Sequence, residues 1–205
     1  MKTRDKILEE ALKLFNEKSF DQVSALQISQ SLGISYGNLT YHFKKKEDII
    51  LVLYQEMQEE LNAAISNLVQ RIFEETFYLG LVNQLFEVTW KYRFIYLGLS
   101  SLMSQYEEIR IAEKAYSKSR ERILGKAKEY LIREGYMKSS LDIDYQLTIR
   151  NLSLILYSWI LDAKLFYEGD EDKKIDYYTA LFFNIAIPNL TEKGLAKLKQ
   201  LFAHA

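Results

Sequence analysis

The chain has 205 residues, with 27 Lys and Arg against 28 Asp and Glu, no Cys, two His, eight Gly and one Pro. Without Cys there is no disulfide, thiolate metal site or Cys nucleophile, and His42 and His204 are too far apart in sequence to suggest a His-based metal cluster or catalytic triad. Few Gly and Pro leave little material for hairpins or phosphate-cradling loops and favour long helices, while a net charge of −1 confines any nucleic-acid surface to a local patch.

No carboxylate pair, nucleophile–base pair or metal cluster stands out, so the sequence points away from an enzyme and calls for no cofactor or metal. The uncharged stretch Tyr177 to Thr191 spans 15 residues and is broken by Asn184, Pro188 and Asn189. That is short of the roughly 18 apolar residues of a membrane span. Met1-Lys2-Thr3-Arg4-Asp5 runs straight into an amphipathic pattern, with no signal-peptide run. A soluble cytoplasmic protein is therefore the expectation.

In chain order, Ile7, Leu8, Ala11, Leu12, Leu14 and Phe15 recur at helical spacing and predict a first helix over about Thr3–Lys18. Ser24-Ala25-Leu26-Gln27 is a capping-box pattern that opens a short second helix, and Gly33 follows where a helix end favours a left-handed residue. Ser35 is an N-cap candidate for a third short helix over Tyr36–Phe43. After Lys44-Lys45-Lys46, the series Ile50, Leu53, Met57, Leu61, Ala64, Ile65, Leu68 predicts a long fourth helix from Glu47. Further helices are predicted at about Tyr78–Tyr92, Phe94–Gln105, Glu108–Glu134, Asp142–Glu168, Asp172–Ile187 and Thr191–Phe202. Gly135, Gly169 and Pro188 stand where helices should stop. Asn151–Leu161 is apolar nearly all round, so its helix should be central or buried in an interface. The fold class expected is all-α, with three helices up to residue 46 followed by a larger helical region over 47–205.

Two short capped helices joined by a Gly turn are the arrangement of a helix-turn-helix. Charge supports that reading. Residues 22–46 hold no Asp or Glu, where a proportional share would be about three, and they end in consecutive lysines. A segment that lies against phosphates excludes acids because each would repel the duplex. The third helix offers Tyr36, Gly37, Asn38, Thr40, Tyr41 and His42 outward, with only Leu39 and Phe43 turned in. Hydroxyl, amide and imidazole groups suit base edges and phosphate oxygens, and Gly37 permits close backbone approach.

These residues carry a resemblance. Thr3-Arg4-x-x-Ile7…Ala11…Phe15, then Ile28-x3-Leu32-Gly33-Ile34-Ser35-x-Gly37-x-Leu39-x-Tyr41-His42-Phe43-Lys44-x-Lys46-Glu47, resembles the DNA-binding region of TetR-type (tetracycline-repressor-like) transcriptional regulators. The match covers about residues 3–50, and it implies a DNA-binding domain over 1–46, with its helix-turn-helix at 24–43, and a helical ligand-binding and dimerisation domain over 47–205. Trp90-x-Tyr92-Arg93-Phe94 and Trp159 resemble one subgroup of the family's C-terminal domains. Three places depart from the family pattern: Ser19 stands for its usual Gly, Ser29 for its usual Ala, and Asn38-Leu39-Thr40 for its common Thr-Leu-Tyr.

The resemblance implies roles. Tyr36, Gly37, Asn38 and Tyr41 match positions facing base edges, and Thr40, His42 and Lys46 match positions near phosphates. Ser24, Ser35 and Lys44 complete the expected DNA-binding set. Lys46 has its own reason: a helix N-terminus favours phosphate. The partners implied are a double-stranded DNA operator and a second copy of the chain. The wide apolar sectors of about 142–168 and 172–187 are the expected dimer interface.

Beyond residue 72, aromatics crowd together: Phe73, Phe77, Tyr78, Phe86, Trp90, Tyr92, Phe94, Tyr96 and Tyr106, then Tyr157, Trp159, Phe166, Tyr167, Tyr177, Tyr178, Phe182 and Phe183. Aromatics at helical spacing usually make core. Fifteen Tyr, however, bring many hydroxyls to satisfy, and a mostly apolar effector pocket would use some. Trp90, Phe94, Met103, Tyr106 and Trp159 are its candidate lining. The function expected is a repressor released from a palindromic operator by an apolar or aromatic effector. The alternatives are an orphan regulator without effector, whose aromatics only pack, or a helical interaction module.

Overall fold

The computed structural model describes residues 2–72, 79–139 and 144–203, and the side chains of all of these except 68–72, 79–81 and 201–203. Phe73, Phe77, Tyr78, Asp142 and His204 lie outside the described residues.

Helix α1 (Thr3–Lys18) buries Ile7, Leu8, Ala11, Leu14 and Phe15 on one side, as its periodicity requires. It stops at Ser19, whose φ of 77° is a left-handed conformation that a side chain strains. A 3-10 turn, Phe20–Gln22, leads to α2 (Ala25–Ser31). The capping box forms as expected. Gln27 N donates to Ser24 Oγ (3.2 Å), and Ser24 N donates to Gln27 Oε1 (2.7 Å). Gly33 turns the chain at φ +66°, and Asn38 N donates to Ser35 Oγ (3.1 Å) to open α3 (Tyr36–His42). Each end of this short turn is thus closed by a side chain only three residues away.

Helix α4 (Lys46–Ile72) has 27 residues and a length of about 40 Å. Ile50, Leu53, Met57, Leu61 and Ala64 are buried along it. Around it stand α5 (Leu79–Lys91), α6 (Arg93–Leu97), α7 (Leu99–Gln105), α8 (Glu107–Arg133), α9 (Tyr145–Leu165), α10 (Lys174–Asn184) and α11 (Glu192–Ala203). Helix α4 packs on α5 and α8, α9 packs on α6 and α8, and α10 packs on α5.

Two elements differ from the sequence expectation. The helix foreseen over Phe94–Gln105 is broken into α6 and α7 at Gly98. Gly98 lies against Phe20, where a Cβ would come 2.5 Å from the ring. The bend lets Phe94, Ile95 and Leu102 all enter the same core. The helix foreseen to Ile187 ends at Asn184, before Pro188, which sits in a separate 3-10 turn, Ile187–Asn189. An isolated antiparallel bridge, Met137 with Leu190, then ties the end of α8 to the start of α11. Lys138 N donates to Asn189 O (2.9 Å) and Thr191 N to Tyr136 O (3.0 Å).

The core does not stop at the expected boundary after residue 46. One cluster of buried side chains runs from Ile7 to Ile109 and joins α1, α2, α3, α4, α6, α7 and α8. Phe15 packs on Phe94 with ring centroids 5.2 Å apart. Asn16 clamps the same joint: its Nδ2 donates to Lys91 O (2.8 Å) and its Oδ1 accepts from Phe94 N (3.0 Å). A second cluster, around Trp159, Phe86 and Tyr178, holds α5, α9 and α10 together.

Candidate nucleic-acid interface and effector cavity

Helix α3 hangs from the core by Leu39, with Phe43 beside it at the helix end, both buried. Its other side is open. Tyr36 is half exposed and Tyr41 is 86% exposed, large apolar rings held in water. Gly37, Asn38, Ser35, Ser24 and Lys44 are exposed, and Thr40, His42 and Lys46 are half-buried. The outward surface thus carries ring, amide, hydroxyl and ammonium groups and no acid.

Three details refine the individual residues. Thr40 Oγ1 donates back to Gly37 O (3.2 Å), so its hydroxyl is held against the helix. Tyr41 meets His42 edge-on with centroids 5.2 Å apart. Lys46, expected at phosphate, uses one ammonium N–H on Phe20 O (2.9 Å), which anchors the start of α4 to the turn after α1. Arg4 lies 5.2 Å over the Phe43 ring and adds a cation at the end of α3. Ser29, where the family pattern has Ala, is buried, and its Oγ donates to Leu26 O (2.8 Å), so the extra hydroxyl is satisfied.

The other site lies beyond the core. Helices α4, α5, α6, α8, α9 and α10 enclose a cavity of about 550 Å³, within the range of small-molecule sites. Leu61 and Ile65 of α4, Leu85 and Val82 of α5, Ile149, Leu152 and Leu156 of α9, and Phe182 and Phe183 of α10 make its apolar walls. Its polar members include Thr89, Tyr96, Tyr116, Arg120, Tyr145 and Thr148, with Arg122, Lys126 and Lys128 beside them. Burial raises the Tyr96 hydroxyl well above the ordinary tyrosine range and pushes Tyr116 up to about 12. Both stay protonated donors at neutral pH.

None of the five nominated residues lines this cavity. Trp90 and Trp159 stack on one another at 5.6 Å, and Trp159 also meets Phe86 and Tyr178 at 5.2 Å each. Phe94, Met103 and Tyr106 belong to the core shared with the N-terminal helices. These side chains satisfy packing rather than enclosing space, the commoner fate of aromatics at helical spacing. The walls that do enclose it are mostly aliphatic and are drawn from six helices, a combination with no local signature. Arg120 was hidden for another reason: α8 is rich in charge, and one more Arg among its Lys and Glu is unremarkable until its burial is known.

A buried polar joint connects the helices near the cavity. Glu113 of α8 accepts from Tyr54 (2.9 Å) and Gln58 (3.2 Å) of α4 and from Tyr157 (3.3 Å) of α9. Burial raises its carboxyl above the ordinary range, and the hydrogen bond from Tyr54 and the charge of Arg120 partly offset that. Among the described residues no group of His, Cys, Asp and Glu is placed to hold a metal ion, and no helix is long and apolar enough to cross a membrane.

Two family models match the chain in succession. Residues 7–53 match the family model of bacterial regulatory proteins of the tetR family, and residues 54–198 match the model of the bacterial transcriptional repressor TetR. The chain is 34% identical over 70 residues to the probable HTH-type transcriptional regulator YttP of Bacillus subtilis, covering 32% of this chain and 34% of that one. It is 30% identical over 103 residues to IcaR of Staphylococcus epidermidis, the HTH-type negative transcriptional regulator of the biofilm operon icaADBC, covering 48% and 54%. The matched region thus spans about a third to half the length of these relatives. The crystal structure of a TetR-family regulator from Marinobacter aquaeolei has the same fold, with a TM-score of 0.83 over 99% of this chain and 98% of that one at 23% identity. With both models matched in succession, and a helix-turn-helix leading through a long α4 into a larger helical domain, the chain belongs to the tetR family of bacterial transcriptional regulators.

Proposed function

We propose that the protein is a homodimeric repressor that holds a palindromic operator and releases it when a small, mostly apolar effector fills the cavity. In this reading Tyr36, Gly37, Asn38 and Tyr41 face base edges in the major groove, with Asn38 bidentate to an adenine. Ser24, Ser35, Thr40, His42, Lys44 and Lys46 lie along phosphates. Lys46 reaches them with the two ammonium N–H groups that Phe20 does not occupy. Thr40 makes at most a short contact, because its hydroxyl is engaged at Gly37.

One short recognition helix buries too little surface for tight binding, and a second copy supplies the other half-site. Support for α9 and α10 as the interface comes from Leu147, Leu154 and Leu161, exposed at successive seven-residue spacings, and from exposed Leu165, Tyr177 and Leu181 beside them. Exposed leucines in a row mark an association surface. Repression is favoured by the printed role of IcaR as a negative regulator.

The observation that carries the proposal is α4. It begins at Lys46, next to α3, and its residues Leu61 and Ile65 form a wall of the cavity. A ligand that binds better when α4 tilts must weaken DNA binding by the same factor. In a dimer, tilting α4 changes the separation of two recognition helices that must match one helical turn of DNA, roughly 34–36 Å. The test is selection of bound duplexes from a random library, then operator affinity with and without compounds shown calorimetrically to bind. Symmetric half-sites, relaxed preference at one base pair per half-site in Asn38→Ala, and uniform weakening in Lys46→Ala are expected. A monomeric mass in light scattering at micromolar concentration, or a tightly bound compound that leaves operator affinity unchanged, would overturn it.

A further inference from the structure

Arg120 is only 7% exposed and lines the cavity. Its guanidinium lies over two rings, 4.2 Å from the centroid of Tyr157 and 5.3 Å from that of Tyr116. Its Nε and Nη2, buried, have no hydrogen-bond partner among the described residues. Those two atoms form one edge of the fork, the edge that receives a carboxylate side-on. The same molecule shows the pairing elsewhere. Arg110, on the exposed side of α8, gives Nε (2.7 Å) and Nη2 to the two carboxylate oxygens of Glu107. At Arg120 the same edge is desolvated and has no such acceptor.

The surroundings agree in sign. Among the described lining residues stand three further cations, Arg122, Lys126 and Lys128, and no acid. Glu113 is the carboxylate nearest in the chain's own network, and it is already engaged by Tyr54, Gln58 and Tyr157. A buried, unpaired guanidinium edge is costly, and its cost falls when a ligand carries the missing charge. The remaining walls are aliphatic and aromatic.

We propose that the cavity binds an amphipathic monocarboxylate, its head paired side-on with the Nε and Nη2 of Arg120 and its apolar body lying among Leu61, Leu85, Ile149, Leu152 and Phe182. This rests on reading the cavity as the effector site and names the chemistry of the effector. A neutral apolar compound fills the same walls and leaves the guanidinium edge unpaired. A cationic compound adds repulsion.

The test uses the full chain and isothermal titration with decanoate and hydrocinnamate, set against decanol and phenylpropanol, below any aggregation threshold. At least one acid should bind roughly ten- to a hundredfold more tightly than its alcohol, the range of one charge-assisted pair. Arg120→Met should remove that preference and leave alcohol binding within about threefold, with circular dichroism confirming the helical fold. Should the Met variant not fold, Arg120→Gln serves, and the acid-to-alcohol ratio in the unmodified protein stands by itself. Alcohols binding as well as acids, no acid binding, or an acid preference unchanged in Arg120→Met would each overturn the proposal. Operator affinity, read by fluorescence anisotropy on the selected duplex, separates the two readings. An acid that needs Arg120 yet leaves the operator complex intact supports this assignment and defeats effector release. A neutral compound that releases the operator equally from Arg120→Met and the unmodified protein does the reverse.

Discussion

At the N-terminal end, the caps and turns that shape α2 and α3 are closed within three residues: Ser24 by Gln27, Asn38 by Ser35, Ser29 by Leu26 and Thr40 by Gly37, with Ser31 reaching further, to Glu10 of α1 (2.7 Å). At the C-terminal end, the polar groups that matter are joined across helices. Glu113 collects donors from α4 and α9, and Arg120 lies over rings of α8 and α9 with an edge left unpaired. A locally closed motif can present its outward face without adjusting to the rest of the protein, as a DNA-reading surface requires. A site assembled from distant helices responds to how those helices sit, as a switch requires. The shared core around Phe15, Phe94 and Asn16 is where the two meet.

The strongest way to break the comparison is to empty that joint. Phe94→Ala should cost about 3–5 kcal/mol, the usual range for a buried Phe, read as a shift of the denaturation midpoint. If the helix-turn-helix and the larger domain form one cooperative unit, both should lose stability together. Separate melting of α1–α3 would show that the core joins them only in name. Tyr41→Ala supplies the contrast: with a ring 86% exposed, its stability should stay within about 0.5 kcal/mol while operator affinity drops.

Gly98→Ala sharpens the same point. Its Cβ would sit 2.5 Å from the Phe20 ring, so the ring or the bend must move, at about 1–3 kcal/mol. Because Phe20 O also holds Lys46, the salt dependence of DNA binding should change with it. An unaltered melting temperature would mean that the α6–α7 bend is slack.

Smaller effects separate local closure from backbone strain. Ser35→Ala should lose about 1 kcal/mol with the cap on Asn38. Ser19→Gly should gain about 1 kcal/mol by relieving a φ of 77°. Equal melting temperatures for Ser19→Gly and the unmodified protein would show the turn to be unstrained.

The last prediction concerns pH at the C-terminal joint. Glu113 has a carboxyl raised by burial, so the folded chain holds that proton more tightly than the unfolded one. As pH rises from the ordinary carboxylate range through the raised value, stability contributed by this proton is lost. Glu113→Gln cannot lose it. Its melting temperature relative to the unmodified protein should therefore climb across that window and level off above. A constant difference across pH would place the titration elsewhere.

How much of this was legible follows from the range of the interactions. Residue types three or four apart specify a cap, a turn or an apolar face, so α1, the Ser24–Gln27 box, the Gly33 turn, the Ser35 cap and the long α4 could be read in order along the chain. The acid-free run over 22–46 needed only counting. The break at Gly98 depended on a ring 78 residues earlier, and the Met137–Leu190 bridge on a single long-range pair. The cavity depended on how six helices stop short of one another, and the aromatics expected to line it belong to the core instead. Nothing in α8 itself distinguishes Arg120 from its charged neighbours. Its burial, the rings it lies over and its unpaired edge exist only once α8 and α9 are packed together, because desolvation is a property of the assembled fold and not of the residue.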